Sequence, residues 1–124
     1  MVFPIPLFHA IFPNSRLGMA IARQQFPDWQ FSTETWLLTC LFHDIGTLDK
    51  YTQGTLMSFE FYGAYLALDV LKEHKCPDGQ AQSVAEAIIR HQDPVETGTI
   101  HTIGLLIQIA TQYGEFALIK SKET

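Results

Sequence analysis

A histidine and an aspartate stand side by side in Leu41-Phe42-His43-Asp44-Ile45-Gly46, where an apolar stretch ends. An isolated buried carboxylate is costly unless it is paired or bound to a metal. Helical neighbours point about 100° apart, yet they can converge on one ion beside their turn. Imidazole nitrogen with carboxylate oxygen suits Zn, Fe, Mn or Co better than a purely soft metal. The plainer reading pairs Asp44 with a Lys or an amide and leaves His43 as a hydrogen-bonded core residue.

A second signal lies in Ile88-Ile89-Arg90-His91-Gln92-Asp93. Val84, Ala87, Ile88 and His91 recur at helical spacing, so His91 points inward with the apolar residues. Two inward histidines on neighbouring helices, one followed by Asp, point to a metal site made of His43, Asp44 and His91. Arg90 and Asp93 fall on other faces and read as solvated or paired. The third signal is Ser58-Phe59-Glu60-Phe61-Tyr62-Gly63-Ala64. Glu60 there is either a surface carboxylate favouring the start of its helix or a group orienting a ligand or the attacking water. Gly63 and Ala64 permit close helix packing. His74 and His101 read as helix-end residues without a catalytic role.

These residues need helices to hold them. Prolines at 4, 6 and 13 predict an extended segment over residues 1–14. A short helix is expected over residues 15–26, ended by Pro27 and Asp28. Ser32 caps a second helix, with Glu34 in its first turn. Gly46 stops that helix, so His43 and Asp44 occupy its last turn. A polar loop is expected over residues 48–56, then helices over residues 58–74, 80–91 and 102–116. The last is apolar nearly all round, as a central helix should be. Pro94 and Gly98 break the chain before it, and residues 120–124 read as a frayed tail. Nothing reads as a strand, so the fold class is all-α, a helical bundle over residues 15–119.

Composition sets limits. The 124 residues suffice for one domain. Hydrophobic residues at 47% and charged residues at 17% support a packed core and exclude disorder. A net charge of -5 gives no basic footprint for nucleic acid. Two distant cysteines make no disulfide framework, and Cys40 is expected as a buried thiol. The start, apolar but broken by prolines and without a basic opening, does not read as a signal peptide. No apolar run reaches the ~18 residues of a membrane span. The expectation is a cytoplasmic protein, with the nucleus open and a homo-oligomer allowed.

Four segments occur together in one order: Phe42-His43-Asp44-Ile45-Gly46-Thr47, Met57-Ser58-Phe59-Glu60-Phe61-Tyr62-Gly63, Ala87-Ile88-Ile89-Arg90-His91-Gln92-Asp93, and the run from Thr102 to Thr111. In these the chain resembles the HD-domain cyanamide hydratases of fungi, from about Gly18 to Thr111. The resemblance implies an HD-type helical bundle. It implies a divalent metal, usually zinc, on His43, Asp44 and His91, with His91 and Glu60 as catalytic candidates. It further implies hydration of a small nitrile, cyanamide to urea, by metal-bound hydroxide.

The chain departs from that family twice. Asn14-Ser15-Arg16 stands where the family has Asn-His-Ser, so its first metal-binding His has no counterpart, and His9 does not match. Gly114 lies near the place of the family's final Asp, with Glu115 one residue off. Two other readings follow: a non-catalytic remnant of the HD domain, or an HD-type phosphohydrolase. The second ranks lower, because few cations surround the site to grip phosphate.

Overall fold

The computed structural model describes residues 5–93 and 100–123, with side chains from 15 to 93 and from 100 to 114. Its helices are α1 (Ile5–Gln25), α2 (Thr33–Phe42), α3 (Asp49–Thr52), α4 (Phe59–Glu73), α5 (Asp78–Arg90) and α6 (Thr102–Glu123), with a 3₁₀ turn at Ile45–Thr47. No strand occurs among the described residues, in line with an all-α bundle. The break expected around Pro94 and Gly98 lies outside the described residues.

Three expectations are corrected. The helix expected from residue 15 begins at Ile5, so residues 5–14 are not extended. Pro6 falls in the first turn, where no intrahelical N–H bond is needed, and Pro13 removes a single rung. The loop expected over residues 48–56 contains α3, whose N-cap Leu48 carbonyl accepts from the Tyr51 and Thr52 N–H groups. The expected frayed tail continues α6 to Glu123.

Local chemistry explains the helix ends that position the site. Ser32 caps α2, its hydroxyl accepting from the Thr35 N–H at 3.2 Å. Helix α4 closes with Cys76 N–H donating to the Leu71 carbonyl at 2.9 Å, and Lys75 takes a left-handed φ of 62°.

Two apolar clusters share α5 as their common wall. One joins Ala22 of α1, Trp36 and Cys40 of α2, Ala87 of α5 and Ile103, Leu106, Ile107 and Ala110 of α6. The other packs Phe42 and Ile45 with Ala64, Ala67 and Leu71 of α4 and Ala81, Val84 and Ile88 of α5. Trp36 is completely buried, and its indole donates to the Ser15 carbonyl at 3.2 Å. Burying each large apolar side chain contributes about 1.5–3 kcal/mol.

The 3₁₀ turn approaches α4 closely. A Cβ on Gly46 would lie 2.1 Å from the Phe59 carbonyl oxygen, and one on Gly63 would lie 3.2 Å from the Gly46 nitrogen. Only hydrogen at Gly46 lets the backbone of the turn rest on the start of α4. That contact fixes His43 and Asp44 relative to Phe59.

Candidate metal centre

His43 and His91 are placed by the same device. Each is the C-cap residue of its helix, α2 and α5 respectively. Each ring turns back on its own helix: His43 Nδ1 lies 2.7 Å from the Cys40 carbonyl, and His91 Nδ1 lies 2.6 Å from the Ile88 carbonyl. Helix-terminal carbonyls lack intrahelical donors, and a carbonyl can only accept. Both Nδ1 atoms therefore carry the hydrogen and donate it, which leaves Nε2 with the lone pair in the neutral rings.

Both Nε2 atoms face Asp44. His43 Nε2 is 3.2 Å from Oδ2, and His91 Nε2 is 3.5 Å from Oδ1. The rings meet edge to face with centroids 5.3 Å apart. The histidines are 1% and 0% exposed, whereas the Asp44 side chain keeps 27%. His91 Nε2 is buried without a hydrogen-bond partner. Burial pushes the Asp44 carboxyl upward, but the facing His43 and His91 rings, when protonated, outweigh it and hold the group well below the usual carboxylate range.

Two lone pairs aimed at an anionic carboxylate repel it unless a cation lies between them. The helices add to this demand. Helix α2 ends at Phe42 and α5 at Arg90, and each C-terminus presents about half a negative charge. Protons on the imidazoles or a metal ion can meet it. Among the described residues no group of three or more His, Cys, Asp and Glu is arranged to hold an ion as the side chains stand. The donor set nonetheless fits a divalent ion in kind. Ligand atoms held about 2.1 Å from a tetrahedral ion stand about 3.4 Å apart, close to the separations of 3.2 and 3.5 Å seen here.

The structure thus brings His43, Asp44 and His91 together and leaves Glu60 apart. Glu60 is half-buried in the first turn of α4, and no described hydrogen bond or ion pair joins it to the triad. Phe59, beside it, packs edge-on against His91 with centroids 5.6 Å apart. Phe61, two residues on, is 46% exposed and turns away from it. The side chains of His9 and Glu115 lie outside the described residues. His101 stands at the start of α6, where its Nδ1 accepts from the Gly104 N–H at 3.0 Å. Cys40 is buried, which pushes its thiol up to about 12.

Gln108 carries structure that the sequence reading missed. It is 4% exposed, and its amide donates to the Arg90 carbonyl at 2.7 Å. The available signal was a long amide inside an apolar run, since a buried polar group must find a partner. Arg90 itself is engaged by Glu86 at 3.6 Å and Asp93 at 3.2 Å.

The HD domain family profile matches residues 13–116. Over 95 residues, or 76% of its length, the chain is 49% identical to the cyanamide hydratases DDI2 and DDI3 of Saccharomyces cerevisiae. It spans 42% of the length of these curated relatives. No helix among the described residues is long and apolar enough to cross a membrane. A family match that covers the paired histidines and the aspartate, on an all-helical frame, makes this chain a member of the HD-domain family that is similar to the cyanamide hydratases.

Proposed function

We propose that the chain takes part in metal-dependent hydration of a small nitrile, with cyanamide as substrate and urea as product. The observation that carries this reading is the pair of buried Nε2 lone pairs converging on Asp44, in a chain similar to two cyanamide hydratases. His43, Asp44 and His91 would hold the ion, zinc first among the candidates by its liking for this donor set. When bound, the ion supplies Lewis-acid polarisation of water and of the carbon–nitrogen triple bond.

The chain's own residues supply orientation and exclusion of water. The carbonyls of Cys40 and Ile88 fix which nitrogen of each imidazole faces the reaction space. Phe59 gives His91 an apolar neighbour, so that water has less access on that side. Hydration adds oxygen to the nitrile carbon and a proton to its nitrogen. His91 would either complete the shell of the ion or, with its Nε2 off the ion, take a proton from the attacking water and pass it to that nitrogen; Glu60, the neighbour of Phe59, is assigned to orienting the attacking water. The phosphohydrolase reading is disfavoured because Arg90, the cation next to His91 in sequence, is already paired with Glu86 and Asp93.

The test is urea release from cyanamide by the purified zinc-loaded chain, beside His43→Ala, His91→Ala and Glu60→Gln. The expected result is urea from the parent chain, none from the histidine variants and slower release from Glu60→Gln. A folded, zinc-loaded chain that releases no urea would refute the reading and leave an HD scaffold without this chemistry.

A further inference from the structure

We infer that Gln108 is a positioning residue for His91. The proposal rests on the metal-site reading above for its consequence, but its geometry stands without it. Helix α5 ends at Arg90, so the Arg90 carbonyl lacks an i+4 donor within the helix; the Asp93 N–H donates to it from the following turn at 3.1 Å. Gln108 of α6 reaches across 18 positions of sequence and donates to it at 2.7 Å, the shortest bond from α6 to this corner. Four residues later, on the same face of α6, Gln112 donates to the Asp93 carbonyl at 3.3 Å. The turn that carries His91 is thereby held at both ends by two amides one helical turn apart.

The inner of these bonds matters for the imidazole. The Arg90 carbonyl and the His91 N–H belong to one rigid peptide plane. On the N–H side that plane is held weakly, His91 N–H reaching the Ile88 carbonyl at 3.4 Å. The same Ile88 oxygen is the acceptor for His91 Nδ1 at 2.6 Å. A small rotation of the plane would therefore change the angle of the ring and the aim of Nε2 at Asp44. On the carbonyl side the Gln108 bond at 2.7 Å is the shorter of two, the other coming from the Asp93 N–H at 3.1 Å, and Gln108 alone ties the plane to α6. Its burial at 4% gives that amide little water to turn to, so it has strong reason to stay.

The experiment uses the full chain with Gln108→Met, similar in size and without a donor, and Gln108→Asn, too short to reach, as the second variant. Nitrogen-15 imidazole spectra are recorded without metal, and zinc affinity is then measured by calorimetry with zinc alone. His101, whose ring bonds Ser83 and Gly104 away from the triad, serves as the internal reference, because a general loosening of α5 against α6 moves it as well. The expected outcome is a displaced His91 ring signal with His101 unchanged, and zinc affinity weakened about 10–100-fold. Unchanged His91 signals in either folded variant overturn the proposal, whatever the zinc result. A parent chain that binds no zinc, with His91 still displaced by the substitution, would sink the metal reading and leave the positioning role standing.

Discussion

Gly46→Ala tests the contact on which the site's geometry depends. The new Cβ would stand 2.1 Å from the Phe59 carbonyl oxygen, 2.9 Å from the Phe59 carbonyl carbon and 3.1 Å from the Gly63 nitrogen. All three are backbone atoms, so no rotamer change relieves the clash. Ordinary contact begins at 3.4 Å, and the 3₁₀ turn must therefore withdraw from α4 by about 1 Å. Overpacking of this kind costs about 1–3 kcal/mol, out of a typical total of about 5–15 kcal/mol. For a chain of this length that lowers the melting temperature by about 4–15 °C. The displacement also separates Asp44, which opens the turn, from His91, which packs on Phe59. Zinc affinity should fall by about tenfold or more. Thermal melting followed by circular dichroism and zinc calorimetry are the assays. Gly79→Ala is the control, because a Cβ there meets nothing within 4 Å in the first turns of α5, and it should gain up to about 1 kcal/mol in helix preference. A Gly46→Ala chain that melts with the parent and binds zinc equally well would refute the close-approach argument.

Four further outcomes rest on particular residues. Lys75→Gly should raise stability by about 0.5–1 kcal/mol, because the φ of 62° suits glycine and disfavours a side chain; chemical denaturation measures it, and a loss would count against the left-handed cap. Asp44 has its folded carboxyl held below the usual range, so the unfolded chain binds the extra proton as pH falls. The stabilisation is present above about pH 4 and is lost on further acidification; Asp44→Asn should flatten that acid limb of the stability curve. Cys40, with its thiol pushed up to about 12, behaves oppositely. Its folded form keeps the proton that the unfolded chain releases from about pH 9, so stability declines as pH rises from 9 to 12. At neutral pH the buried Cys40 should resist alkylation while the half-buried Cys76 reacts, which mass spectrometry of the labelled protein decides.

Much of this was legible from periodicity alone. Ser32 caps α2 as its type and place require, and the spacing of Val84, Ala87, Ile88 and His91 turned His91 into the core. What was not legible depended on partners distant in sequence or on tolerance within a helix. Three prolines argued for an extended start, yet one lies where no bond is lost and another costs a single rung, so α1 begins at Ile5. Asp49 to Thr52 looked like a polar loop because one turn of helix leaves no apolar period to read. Gln108 sits in the run Ile107-Gln108-Ile109, where apolar neighbours hide its partner 18 residues away. Glu60 shows the opposite case: its place in the sequence pattern suggested a site residue, and the backbone gave it no described contact with the triad.

The two histidines also explain why so short a motif can specify a site. A His at a helix C-cap finds a carbonyl three residues back, and bonding it through Nδ1 sets which ring nitrogen faces away from the helix. The chain uses this twice, with Cys40 for His43 and Ile88 for His91. Each helix thus delivers a lone pair and the negative end of its dipole to one place, and Asp44 adds a full negative charge there. Asp44→Asn takes that charge away, so it should weaken zinc binding while leaving both Nδ1 bonds in place. Imidazole nitrogen-15 spectra check the second part independently of the first. If the substitution instead released the Nδ1 hydrogens from the carbonyls, the rings would be oriented by the carboxylate rather than by their own helices, and the C-cap argument would fail.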